Sequence, residues 1–208
     1  MPENADSLRR IGLFGGTFDP PHVGHLVTAV NVRHALDLDL VIMMVANVPW
    51  QKEGTRSITP ALDRLAMVEA AVSDVPMLRP GREEIDLGGN SFTADTLSVL
   101  AQEYPGADLF TVIGDDAAAG LRTWTRWEEV VERSQVVVVD RPGESVEVDG
   151  GIHTRRVQAD ARRDEALPDH RRCDRNKVAL KAYNRGGDVA LTLHVLDGDV
   201  EYAVKKLV

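Results

Sequence analysis

Along the first two thirds of the chain, apolar residues gather into short, nearly continuous runs that alternate with stretches of helical period. Residues 11–14, 38–45, 108–113 and 135–140 are such runs. Runs of this length with no polar alternation read as strands covered on both faces, which implies a parallel sheet with helices on either side. The intervening segments supply the helices. Residues 26–36 form one. Thr59-Pro60 opens another, with Thr as N-cap and Pro as first helical residue. Leu62, Leu65, Ala66 and Val72 then follow at helical spacing, and Glu69 lies off the pattern. Residues 75–85 read as extended and Gly88-Gly89-Asn90 as a turn. Ser91 or Thr93 caps a helix running to about Tyr104, with Leu97 and Leu100 inward, and Pro105-Gly106 stops it. A short helix reaches Leu121, and a bend over residues 124–127 leads into a helix over 128–133. The expectation is a single α/β domain with an open parallel sheet and helices on both faces. Such sheets bind ligands beyond the carboxyl ends of their strands.

The last quarter breaks this rhythm. Residues 155–175, RRVQADARRDEALPDHRRCDR, are crowded with charge of both signs and show no apolar period. They read as a solvated or partly disordered segment. Residues 178–194 recover apolar content around Gly186-Gly187. The end, 196–208, reads as a short helix, with Asp near its start and Lys near its end to suit the dipole. One domain over 1–208 therefore divides into an α/β core (9–143), a divergent segment (144–177) and a C-terminal segment (178–208). The loops that follow strands, at residues 15–18, 47–52 and 114–116, are all expected at one sheet edge.

Size and charge narrow the partners. The chain has 208 residues, enough for one sizeable core, with 33 acidic and 24 basic residues and a net charge of -9. A nucleic-acid backbone selects basic surfaces, so no nucleic-acid partner is expected. Small phosphates need only a local positive site. Cys173 is the sole cysteine, which excludes an intrachain disulfide and fits a reducing cytoplasm. No long apolar segment follows the polar start, so neither a signal peptide nor a membrane span is expected. Oligomeric state stays open.

Chemistry concentrates in GGTFDPPHVGH, residues 15–25. It stands between a strand and a helix. Gly15 and Gly16 let backbone amides approach a ligand with no Cβ in the way. The helix that follows offers unpaired amides at the positive end of its dipole, a site for a phosphate chain. His22 and His25 are three apart and share one face of the first turn. Two imidazoles there donate to phosphate oxygens or to charge building on phosphorus. Elsewhere, residues 91–97 place hydroxyls and amides at a helix start, suited to a small carboxylate or phosphate. Trp124 offers an indole face for a flat ring, Lys52 a point charge for a phosphate, and Asp116 an acceptor for sugar hydroxyls.

The run GGTFDPPHVGH closely resembles the signature of the HxGH nucleotidyltransferase superfamily. With NVPWQK, SFTADTL, IGDD and LRTWTRWEEV, in that order, the chain from Ile11 to about Pro142 resembles the bacterial nicotinate mononucleotide adenylyltransferase family. The resemblance implies a Rossmann-like fold and transfer of an adenylyl group from ATP to nicotinate mononucleotide. It implies nicotinate adenine dinucleotide and pyrophosphate as products, a need for Mg²⁺, and a place in NAD biosynthesis. It puts His22 and His25 on the triphosphate as the catalytic pair and Gly15, Gly16, Thr17 and Phe18 against the nucleotide. Gly114 and Asp116 hold the adenosine end. Thr93 and Trp124 hold the nicotinate, with Lys52 on a phosphate. Two departures stand out. Thr125 replaces the Tyr that often follows this Trp. The family's Ser-Ser-Thr-x-Ile-Arg type segment, which opens a helix against the ATP phosphates, has no match. The nearest equivalent is NKVALK at 176–181, with Lys181 in place of the Arg. The residues leave open two alternatives: another adenylyl- or cytidylyltransferase of the superfamily, or a nucleotide-binding remnant with impaired catalysis.

Overall fold

The computed structural model describes residues 8–49, 57–140, 154–158, 177–184, 187–196 and 199–206, the last four segments as backbone only. Six strands form one sheet in the order β3-β2-β1-β4-β5-β6, every neighbouring pair parallel. They are β1 (Arg10–Gly16), β2 (Leu40–Val45), β3 (Leu78–Gly81), β4 (Asp108–Gly114), β5 (Gln135–Asp140) and β6 (Thr154–Gln158). The helices are α1 (Val23–Ala35), α2 (Ala61–Val72), α3 (Glu83–Leu87), α4 (Thr93–Glu103), α5 (Asp115–Ala119) and α6 (Trp127–Arg133). A 3₁₀ turn over Leu121–Thr123 joins the last two.

The unbroken apolar run of β2 shows why the sheet is covered on both sides. Val41, Met43 and Val45 pack with Val27, Val30, Leu65 and Val68 of α1 and α2. Leu40, Ile42 and Met44 point the other way, to Leu97 and Leu100 of α4. Alternate residues of a strand leave on opposite faces, so a strand with two covers needs apolar residues throughout. A third cluster joins Ile113, Val136 and Val138 to Ala118 and Leu121. No helix among the described residues is long and apolar enough to cross a membrane.

Several local expectations are corrected. Helix α1 starts three residues sooner than the apolar pattern indicates, because His22 in extended backbone serves as its N-cap. Pro60, not Thr59, caps α2, and its carbonyl accepts from Asp63 and Arg64. The buried face of α2 is rotated from the expected one. Arg64, Leu65, Val68 and Val72 face inward, and Leu62 is 62% exposed. Apolarity alone misplaces that face, because a buried cation occupies one inward position.

Residues 75–85 are not one extended stretch. The strand is Leu78–Gly81, and α3 follows at once. The turn at Gly88 and Gly89 is as expected, both at positive φ (72° and 66°). Neither Ser91 nor Thr93 caps α4. Phe92 is its N-cap, with no side-chain cap, and the Ser91 hydroxyl accepts instead from the Asn47 amide.

Near the C-terminus, Thr154–Gln158, inside the divergent segment and overlapping the charged one, adds the sixth strand, in parallel register beside β5. The rest of 144–177 lies outside the described residues, apart from Lys177. The expected terminal helix is instead β9 (Asp199–Lys206), in an antiparallel sheet with β7 (Lys177–Asn184) and β8 (Gly187–Leu196). Val200, Tyr202 and Val204 recur at the strand period of two. Asp197-Gly198 is a hairpin dipeptide, and β8 and β9 pair in the register of a two-residue connection.

Leu97 is fully buried between sheet and helix. Leu97→Ala is expected to cost about 2–5 kcal/mol, from lost transfer energy and an unfilled cavity. Urea unfolding at constant m-value checks it.

Candidate active site

At the carboxyl end of β1, Gly15 faces open space, for a Cβ there would meet nothing within 4 Å. A Cβ at Gly16 would stand 2.9 Å from the Phe18 ring, so only glycine lets that ring close over the strand end. Phe18 is held at φ 48° and is 2% exposed. Its ring lies edge-on to Phe14 (5.8 Å) and His25 (5.0 Å). The loop was expected to lie against a nucleotide. Its aromatic side chain packs into the core and backs the His25 imidazole.

The two histidines meet as their spacing implies. The rings of His22 and His25 stack at 3.7 Å with 23° between planes. The His22 N–H donates to His25 Nδ1 (3.1 Å), and the His25 N–H donates to the His22 carbonyl (2.9 Å). A ring nitrogen that accepts a backbone amide carries no proton. The neutral His25 ring therefore bears its proton on Nε2, which is a donor. Gly24 makes room for this pair, since a Cβ there would come within 3.1 Å of the His22 ring. In the first turn of α1 the amides of Val23 and Gly24 precede any helical carbonyl that could pair them.

Across the crevice, β4 ends at Gly114, the N-cap of α5. Asp116 Oδ1 accepts from the Ala117 amide at 3.0 Å. A Cβ on Gly114 would press on that oxygen at 3.1 Å. The third wall is the start of α4 with Trp124. Trp124 packs against the cluster of Ile113, Ala118 and Leu121. Its buried Nε1–H has no acceptor among the described residues. Trp124 thus both packs on this cluster and lines the cavity. Arg126, at φ 57°, pairs with Asp95 at 2.7 Å and ties α6 to α4.

These walls enclose one cavity of about 1070 Å³. Gly15, Gly16, Thr17, Phe18, His22, His25, Thr93, Gly114, Asp116 and Trp124 all line it. Of the residues nominated from sequence, Lys52 alone lies outside the described residues. Lys181, the nearest equivalent of the family's arginine, is on strand β7 rather than at a helix start.

Sequence reasoning missed Glu84. It lines the cavity from α3 and is 8% exposed. Its Oε1 accepts the Thr96 hydroxyl at 2.8 Å, and the Ser91 hydroxyl also bonds to it. Burial pushes its pKa above the ordinary glutamate value, and the two hydroxyl bonds oppose that shift. In the sequence it was one of two adjacent glutamates in a segment read as extended, which offered no signal.

Comparison with known proteins gives a family and a fold. The model of the cytidylyltransferase-like family matches residues 13–192, and the chain belongs to that family. A Corynebacterium glutamicum protein named "Probable nicotinate-nucleotide adenylyltransferase" is 44% identical over 143 residues, 69% of this chain and 64% of the relative. A Mycolicibacterium vanbaalenii protein of the same name is 44% identical over 142 residues, 68% of this chain and 65% of the relative. The chain thus spans about 64–65% of the length of these curated relatives. The solved Plasmodium falciparum nicotinic acid mononucleotide adenylyltransferase complexed with NaAD has the same fold. The TM-score is 0.60 at 14% identity, over 72% of this chain and 75% of that one.

Glu84 gives a pH test. A carboxyl with a raised folded pKa favours its protonated form in the fold. Its contribution is full below the unfolded pKa and is lost as pH rises through the folded one. Wild type is expected to lose stability relative to Glu84→Gln as pH rises above the ordinary glutamate range. Urea unfolding of both proteins from pH 4 to 8 reads this out, and parallel curves would refute it.

Proposed function

We propose that the cavity joins ATP to nicotinate mononucleotide, giving nicotinate adenine dinucleotide and pyrophosphate. One observation carries the reading. The stacked His22–His25 pair at the start of α1 shares a single cavity with Gly114 and Asp116 on one side and Thr93 and Trp124 on another. A polyphosphate and a planar pyridine acid are thereby given adjacent places. The relatives' printed names support the same activity.

The mechanism follows from the chemistry of the groups. The phosphate oxygen of the mononucleotide is already anionic near neutral pH and needs no general base. It attacks the ATP α-phosphorus in line. A new P–O bond forms there, the bond to the bridging oxygen of the β-phosphate breaks, and pyrophosphate leaves. Positioning and charge stabilisation carry the rate. His25 Nε2–H, His22 and the α1 amides face the phosphates and stabilise charge as it shifts toward the leaving group. Residues 15–17 bring backbone to the nucleotide. Gly114 and Asp116 hold the adenosine end. The α4 start at Thr93 receives the pyridine carboxylate, and the Trp124 indole stacks on the ring. Lys52 serves as a point charge on a phosphate.

The donor set suits Mg²⁺ brought by ATP. Asp19 and Asp116 line the cavity, and the described residues hold no cluster of three or more ligating side chains. Mg²⁺ usually keeps one or two carboxylates together with substrate phosphates and water. When bound, it neutralises charge on the triphosphate.

The strand at residues 177–184 favours a second reading, ATP binding without transfer. The family's helix-opening phosphate segment has no counterpart at those positions.

Pyrophosphate release with ATP and nicotinate mononucleotide tests the proposal, with nicotinamide mononucleotide in parallel. The acid is expected to support turnover. His25→Ala is expected to lower kcat by about 10²–10³, the usual effect of removing one transition-state donor, while binding of the mononucleotide changes little. Calorimetric ATP binding without pyrophosphate release would favour the second reading.

A further inference from the structure

Arg64 lies on the buried face of α2 and is 1% exposed. All three guanidinium nitrogens donate to backbone carbonyls. Nε reaches Thr59 at 2.8 Å, Nη1 reaches Thr17 at 2.7 Å, and Nη2 reaches Asn47 at 3.0 Å. These carbonyls come from three separate segments: the loop after β1, the loop after β2, and the approach to α2. Burial lowers the Arg64 pKa from its ordinary value, and the charge of nearby Asp19 opposes that shift. Asp19 Oδ2 also accepts the Thr59 amide at 3.0 Å. Thr59 is therefore held at its N–H by the first loop and at its carbonyl by Arg64.

The network continues beyond Asn47. Its amide donates to Ser91 Oγ at 2.8 Å, and its Nδ2 donates to the Gly89 carbonyl at 2.9 Å. The Ser91 amide donates to the Val48 carbonyl at 3.1 Å. Ser91 leads into Phe92 and Thr93 at the start of α4. Thr17, Asp19, Ser91 and Thr93 all line the cavity. One buried side chain thus joins the phosphate side of the cavity to the wall at residues 91–93.

We infer that Arg64 is a positioning residue for the transfer. Its planar fork sets the distance between the loop at residues 17–19 and the wall at 91–93, and so the alignment of the two substrates. The inference rests on the adenylyl-transfer reading above. A lysine cannot substitute, for a single ammonium on a flexible stem has no fixed fork to hold three divergent carbonyls. Both substrates would still bind in its absence, each to its own wall. Their reacting atoms would be misaligned, which slows turnover more than it weakens binding.

The test compares Arg64→Lys with Val68→Ala. Val68 is fully buried on the same helix and has no contact with these loops through the network. Both variants lower Tm. Measured well below their melting temperatures, Arg64→Lys is expected to lose about 10–100-fold in kcat with both KM values within about threefold of wild type. Val68→Ala should keep kcat. Equal kcat in the two variants overturns the inference. Hydrogen exchange supplies a readout free of turnover. Arg64→Lys should speed exchange together in peptides covering residues 15–19, 46–49 and 88–93, and leave 108–114 unchanged. Unchanged exchange in those loops overturns the inference even if wild type proves inactive, whereas wild-type inactivity alone overturns the activity reading. Should Arg64→Lys fail to fold, Ser91→Ala takes its place, because it removes the Asn47 amide's bond to the wall and so one of the three hydrogen bonds joining residues 47–48 to residues 89–91. A clear fall in kcat at unchanged Tm supports the inference, and an unchanged kcat refutes it.

Discussion

The parallel pairing of β1 with β2 on one side and β4 on the other is the constraint from which the site follows. Its registers set Gly16 beside Val45 and Phe14 beside Val112. Strands paired this way end at nearly the same height, so the loops that follow them emerge together. The crossover from β1 goes to one side of the sheet, while β4 begins the other half. A crevice opens where the two directions part. The histidine pair and the Gly114–Asp116 turn stand on its opposite lips. The apolar cores on both faces hold that edge in place without taking part in the chemistry.

Bringing several loops to one edge also removes backbone carbonyls and amides from water. Each needs a partner, because a buried polar group left unpaired costs on the order of 1–3 kcal/mol. Arg64 serves three carbonyls, and Glu84 receives two hydroxyls. Taking a guanidinium out of water costs several kcal/mol, and hydrogen bonds from a charged donor return about 1.5–3 each. The two sums are similar, so the cluster contributes geometry more than net stability. The glycines act in the same way at shorter range. At residues 16, 24 and 114 a Cβ would press on Phe18, His22 and Asp116 respectively, the side chains that shape the crevice.

Much of this was legible in the residues. The four apolar runs are strands, and the GGTFDPPHVGH segment is a strand-to-helix turn with its two imidazoles face to face. Periodicity failed where one position carried a different burden. Arg64 sits where α2 needs an inward residue, so the apolar positions around it pointed to the wrong face. Residues 75–85 looked extended because a four-residue strand and a five-residue helix are each too short to show a period. The charged segment hid β6, a strand whose composition, Thr-Arg-Arg-Val-Gln, has no apolar run. The terminal segment was read as a helix from its end charges, although Val200, Tyr202 and Val204 alternate and Asp197-Gly198 precedes them.

By itself, then, the sequence determined the class of fold, the strand-to-helix turn with its histidine pair, and ten of the residues that line the cavity. Local spacing and backbone chemistry are enough for those: a glycine needs no neighbour to admit a ligand, and a three-residue interval puts two side chains on one face. Only the tertiary structure decided which carbonyls Arg64 would gather, that Glu84 would lie buried beneath the start of α4, and that the Phe18 ring would back His25. Those contacts join segments tens of residues apart, and hydrogen bonding between distant backbone groups leaves no periodic trace along the chain.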